Sequence, residues 1–185
     1  PNDNIDRAVK RGTGELEGVH YEEVFYEGYG PRGVGIYVQC LTDNKNRTAA
    51  EIRSIFNKCN GNMAGADSVA WLFEPKGLIV VPAGAASEES LMDITVEAGA
   101  EDISRSGDVF EIITPPQDLE SVRQAVEKND IKMEAAELTR LPKNQVSIPC
   151  EEVPKVLKLI DRLEDNDDVQ NVYANCDIPD EFIDA

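Results

Sequence analysis

The sequence predicts an α+β protein of two small layered domains, one inserted into the other, and three observations carry that prediction. Apolar residues recur with period two in some segments and at helical spacing in others. The strands come in hairpins rather than in βαβ crossovers. A lone helix and strand at the C-terminal end are too short to stand as a domain. A chain of 185 residues can bury about two thirds of its unfolded surface in one or two domains, so a core forms without disulfide staples.

In residues 3–15, DNIDRAVKRGTGE, Ile5 and Val9 lie four apart and Gly12-Thr13-Gly14 ends a helix, whose negative end Lys10 and Arg11 complement. Residues 22–30 and 34–41 are rich in Val, Ile, Tyr and Phe and flank a Gly-Pro-Arg-Gly turn, which predicts a hairpin. TDNKNRT at 42–48 leads into a helix with Ile52, Ile55, Phe56 and Cys59 on one face. Thr48 and Glu51 have capping-box spacing, Asp43 or Asn44 offers an earlier cap, and Gly61 closes the helix. SVAWLFE at 68–74, the turn Pro75-Lys76-Gly77 and residues 78–81 predict a second hairpin, with Trp71 in the core beside Val69 and Phe73.

A small-residue linker at 82–86 follows. Ser87 then opens a helix carrying Leu91, Ile94 and Ala98, ended by Gly99. Strands at 101–105 and 109–114 turn at Ser106-Gly107-Asp108, Pro115-Pro116 starts a helix aligned on Leu119, Val122 and Val126, and residues 132–138 form another strand. After a second linker at 140–145, a helix at 151–165 sets Val153, Val156, Leu157, Ile160 and Leu163 on one stripe, and a strand at 169–175 completes the first sheet. The element order makes both halves ferredoxin-like α/β sandwiches. It divides the chain into residues 1–18, a discontinuous domain of 19–82 plus 146–185, and an inserted domain of 83–145.

Charge narrows the function. Eighteen Lys and Arg stand against 36 Asp and Glu, a net charge of −18 that as a whole repels phosphate backbones and anionic lipids. No apolar run approaches the roughly 18 residues of a membrane-spanning helix. The negative charge is uneven, however: residues 1–58 hold 8 basic and 9 acidic groups, and residues 59–185 hold 10 and 27. Any anion-binding surface therefore belongs to the first third. There Arg7, Lys10 and Arg11 form a cluster also explained as a solvated helix end. Lys45 and Arg47 sit among the hydroxyls and amides of TDNKNRT, the ingredients of a phosphate contact and equally of a capped loop.

Other motifs lead to bland readings. Gly28-Tyr29-Gly30-Pro31-Arg32-Gly33 spells G-x-G-x-x-G, but a strand follows it where dinucleotide binding needs a helix. The run Glu164-Asp165-Asn166-Asp167-Asp168 lacks the Gly and Glu of a calcium loop and reads as a solvated helix end. Cys40, Cys59, Cys150 and Cys176 have no C-x-x-C spacing, and His20, the only histidine, is remote from them; reduced, mostly buried thiols are expected. The pairs Glu22-Glu23, Glu88-Glu89 and Glu151-Glu152 are neighbours that diverge, so an enzyme is not expected, nor a metal or other cofactor.

DNIDRAVKRGTGE, YEGYGPRG, TDNKNRT, SVAWLFEPKG and DDVQNVYANCDIP together, in this order and spacing, resemble the YebC/PmpR family, which includes a mitochondrial translational activator of cytochrome c oxidase. The resemblance runs from residue 3 to about 179. It implies a helical, basic N-terminal domain followed by two α+β domains. Residues 1–18 would be the remnant of the first, whose G-H-S-K-W-type opening this sequence lacks. It further implies a DNA-binding transcriptional regulator of the bacterial cytoplasm, with no catalytic residues. The alternative is a ribosome-associated translation factor that relieves stalling, mitochondrial if the source is eukaryotic. Nucleic acid, DNA or ribosomal RNA, would be held through the basic N-terminal portion by phosphate contacts from Arg7, Lys10, Arg11, Lys45, Arg47 and Arg53. Basic proteins would suit the acidic domains, and no membrane partner is expected.

Overall fold

In the computed structural model, which describes residues 19–182, contacts divide the chain into an outer unit, up to Phe73 and from Pro142 onward, and an inserted unit, Glu74–Leu141. The outer unit opens with β1 (Glu22–Tyr29), β2 (Gly35–Thr42), α1 (Lys45–Lys58) and β3 (Asn62–Ala64). The inserted unit uses β4 (Phe73–Pro82), α2 (Glu88–Val96), β5 (Asp102–Ser106), β6 (Val109–Thr114), α3 (Leu119–Lys128) and β7 (Ala135–Pro142). The chain then returns with β8 (Val146–Ser147), α4 (Val153–Glu164), β9 (Val169–Ala174) and β10 (Cys176–Asp177).

The outer sheet runs β3-β1-β2-β9, with the expected β1–β2 hairpin at its centre pairing Glu22 with Thr42 and Tyr29 with Gly35. Strand alternation gives β2 two buried faces. Ile36, Val38 and Cys40 face α1 and α4, where they pack with Ile52, Phe56, Val153, Val156, Leu159 and Leu163. Tyr37 faces the other way, stacked on Phe25 at 4.9 Å and on Phe73 at 6.1 Å, with Val69 beside them. Each fully buried aliphatic side chain here contributes roughly 1.5–3 kcal/mol.

Helix α1 starts at the earlier of the possible positions. Asn44 is the cap, its side chain accepting from the Arg47 N–H at 3.1 Å, while the Thr48 hydroxyl turns inward. At the far end Asn60 takes the left-handed conformation and the Gly61 N–H donates to Phe56 O at 2.8 Å. A Cβ on Gly61 would strike the Tyr29 carbonyl, so glycine is required there.

The second hairpin does not exist. Residues 73–82 form one continuous strand, and Pro75-Lys76-Gly77 lies within it. Gly77, Ile79 and Val81 alternate inward toward the inserted unit's core, while Phe73 at the start of the strand packs with Tyr37 and Val69 of the outer unit. Strand β4 pairs with β6, in register from Gly77 opposite Thr114 to Pro82 opposite Val109. The inserted unit is therefore βαββαβ with order β5-β6-β4-β7, the ferredoxin-like arrangement, and its first division from the outer unit falls at the start of β4 rather than after its end. Its core joins Ile79, Val81, Leu91, Phe110, Ile112, Val122 and Val126. Strand β7 begins at Ala135 rather than at 132, because Ile131 and Met133 pack onto this core from the preceding loop.

Trp71 is not a core residue. Residues Ala70–Leu72 form a 3-10 turn that interrupts the alternation. It leaves the indole 63 % exposed, with its Nε1–H donating to Ser68 O at 3.1 Å. The turn is anchored by Glu27, only 7 % exposed, which accepts the backbone N–H groups of Asp67, Val69 and Ala70 at 2.6, 2.9 and 2.6 Å. All four cysteines are free, and only Cys150 is exposed. Among the described residues no helix is long and apolar enough to cross a membrane.

Candidate nucleic-acid interface

Both helices of the outer unit pack on the same side of its sheet, and the basic residues gather on them. Helix α1 carries Lys45, Arg47, Arg53 and Lys58 against Glu51; α4 carries Lys155, Lys158 and Arg162 against Asp161 and Glu164. The rest of the described outer unit adds only Arg32 and Lys143. Amphipathic periodicity explains the placement. Ile52 and Phe56 in α1, and Val153, Val156, Leu159 and Leu163 in α4, hold the inner stripe, which leaves the long cationic side chains to solvent.

These cations differ in what they already hold. Lys45 Nζ lies 2.6 Å from Glu22, and Lys155 pairs with Glu152 at 3.3 Å. Arg47 Nη2 donates to Asp168 at 2.9 Å and to Asp43 at 3.0 Å, and its Nε faces Glu51 at 3.9 Å. The hydrogen bond to Asp168, and then that to Asp43, hold the guanidinium above its ordinary pKa. Arg53, Lys58, Lys158 and Arg162 are exposed and have no carboxylate at ion-pair distance among the described residues. Ala50, Arg53, Ser54, Asn57 and Lys58 line a shallow depression on the solvent side of α1, where small side chains leave two cations open to approach.

The hydrogen-bonding groups of TDNKNRT are turned inward. Asp168, 4 % exposed, accepts from Arg47 and, at 2.8 Å, from the Thr48 hydroxyl. The Thr42 and Thr48 hydroxyls lie 2.7 Å apart, and Thr42 Oγ1 accepts the Asn44 N–H at 2.9 Å. The Leu41 N–H donates to Asp168 O at 2.8 Å, and the Asn166 amide reaches Glu51 at 2.8 Å. The loop thus locks the start of α1 to the entry of β9, which corrects the reading of 164–168 as a merely solvated helix end. Burial first, and the Asp168 charge second, push the neighbouring Cys40 thiol up to about 12, so it stays protonated.

Of the six predicted phosphate contacts, Arg7, Lys10 and Arg11 lie outside the described residues. Arg53 is exposed and uncommitted, whereas Lys45 and Arg47 could meet phosphate only by giving up their carboxylates. Sequence reasoning missed Lys58, Lys158 and Arg162, although helical spacing on α4 puts its three cations opposite the apolar stripe. Of the paired carboxylates, Glu22 and Glu23 diverge: Glu22 holds Lys45 while Glu23 takes the Gln39 amide.

The family model described as the TACO1/YebC second and third domain matches residues 21–176. The chain is 52 % identical over 185 residues to a protein of Desulforapulum autotrophicum named a probable transcriptional regulatory protein, covering all of this chain and 75 % of the relative. A protein of the same description from Geobacter sulfurreducens is 53 % identical over 178 residues, covering 96 % of this chain and 72 % of its own. A crystal structure of a conserved hypothetical protein from Aquifex aeolicus superposes with a TM-score of 0.82 at 47 % identity, over 97 % of this chain and 74 % of that one.

Proposed function

This chain belongs to the TACO1/YebC family, and on that premise we propose that it is a DNA-binding transcriptional regulator rather than an enzyme, one that meets phosphates through the α1–α4 helix layer. The observation that carries this reading is the set of four cations, Arg53, Lys58, Lys158 and Arg162, that hold no carboxylate among the described residues and stand on adjacent helices of a strongly acidic chain. At physiological salt a charge is screened beyond about 8 Å, so an exposed cation acts on an approaching phosphate despite a negative total. Cations on the outside of two helices, with no side-chain set shaped to a base edge, position nucleic acid rather than read it.

A second reading, a ribosome-associated translation factor, draws on the inserted unit, where 15 acidic residues stand against 6 basic ones. Such a surface gains nothing from bare duplex DNA but suits basic proteins, and ribosomes present those beside RNA. Crosslinking the protein in cells and sequencing the attached nucleic acid separates the two. Recovery of chromosomal DNA supports the first reading; recovery of ribosomal RNA alone replaces it with the second.

A further inference from the structure

We propose that the solvent face of α2 in the inserted unit is a docking surface for a basic protein segment, one that sets Lys or Arg side chains around apolar ones. Met92 and Val96 stand one turn apart on this helix, 46 % and 56 % exposed. At 100° per residue, Glu88 continues their row, and Glu89, Asp93 and Glu97 form the row beside it. The helix carries no basic residue, and none of these four carboxylates has an ion-pair partner among the described residues. Elsewhere the same unit does pair its acids: Glu120 and Glu127 hold Arg123, and Glu101 holds Lys76.

The inner side of α2 is complete without the two exposed residues. Leu91 and Thr95 are fully buried, and the Thr95 hydroxyl donates to Leu91 O at 2.7 Å. Met92 and Val96 lie outside this core, and apolar side chains bordered by unpaired charge of one sign have the anatomy of a binding patch. Charge complementarity chooses the occupant: four carboxylates repel nucleic acid, anionic lipid and acidic proteins, and attract a cationic segment. The thioether of Met92 adapts its shape to the apolar residues such a segment presents, and Lys or Arg stems can lie along it. This surface belongs to the inserted unit alone and does not depend on the nucleic-acid reading of α1 and α4.

The test uses the whole chain and a short fluorescent peptide alternating Lys and Leu, followed by anisotropy. Met92→Ser with Val96→Ser, and separately Glu89→Gln, Asp93→Asn and Glu97→Gln together, are each expected to weaken binding at least about tenfold. The control Asp130→Asn, Glu134→Gln and Glu137→Gln removes the same charge from other exposed positions of the unit and is expected to change affinity less than roughly threefold, as dispersed surface charge does. A peptide with Ser in place of Leu should bind as weakly as the Met92/Val96 variant binds the original. The proposal is overturned if the wild-type chain does not bind the peptide, if the control triple weakens binding as much as the α2 triple, or if the Met92/Val96 variant binds unchanged. Nucleic-acid affinity of the same variants is a separate readout, so either proposal can fail alone.

Discussion

The first turn of α1 and the remainder of the α1–α4 layer both carry Lys and Arg, and among the described residues only the second has cations without a carboxylate. Arg47 is held by Asp43 and by the buried Asp168, and its hydrogen bonds close the start of the helix onto β9. Arg53, farther along the same helix, holds no carboxylate among the described residues. What separates them is partly local, since Asp43 and Glu51 stand one turn either side of Arg47 where Arg53 has Ala49 and Asn57, and partly a buried carboxylate that folding brings from 121 positions away. A basic residue in sequence is a candidate contact; whether it is available depends on which acids the topology sets beside it.

The comparison breaks most decisively at Asp168. Asp168→Ala leaves Arg47 and Thr48 without their shared acceptor and should cost roughly 2–4 kcal/mol by urea denaturation, toward the lower end because the Arg47 side chain is 44 % exposed. Arg53→Gln should stay within about 0.5 kcal/mol. Equal losses would mean that the two arginines do not differ in role. Arg47→Lys keeps the charge but not the planar guanidinium whose Nη2 serves both Asp168 and Asp43, so it should cost about 1 kcal/mol and leave nucleic-acid affinity unchanged.

A smaller effect comes from Cys40, under the same corner. Its folded pKa of about 12 exceeds the ordinary 9, so the unfolded thiol ionises first. The stability this contributes is complete below pH 9 and is lost as pH rises toward 12. Cys40→Ala should therefore show a flatter stability curve over that window than the wild type, and parallel curves would contradict the burial argument. Smallest of all, Lys45→Gln should change stability by less than about 0.5 kcal/mol, since both partners of its ion pair are open to water.

Much of this molecule was legible because much of it is local. Alternation and turn chemistry gave the β1–β2 hairpin and the β5–β6 turn, and the helical stripes with Ser87 and Gly99 gave α2, α3 and α4. Strand β4 was hidden by Pro75-Lys76-Gly77, which has the chemistry of a turn but lies within the strand. Trp71 was misread because the 3-10 turn that exposes it depends on a buried acid, Glu27, some forty residues earlier. Asp168 could not be told from the acids beside it. Counting charge by chain segment hid Lys158 and Arg162 in the acidic remainder, because only the fold sets α4 next to α1; Arg53 alone of the candidate layer was both predicted and found uncommitted.

The most direct test of the layer is the salt dependence of duplex DNA binding by three forms of the chain: wild type, the Arg53→Gln, Lys58→Gln, Lys158→Gln and Arg162→Gln combination, and Lys45→Gln. Each lost phosphate contact should flatten the plot of log affinity against log salt by about 0.9, so the fourfold variant should be shallower by roughly three to four while Lys45→Gln keeps the wild-type slope. A fourfold variant with the wild-type slope, or a Lys45→Gln variant that loses as much per residue, would contradict the assignment of the interface to the uncommitted cations of α1 and α4.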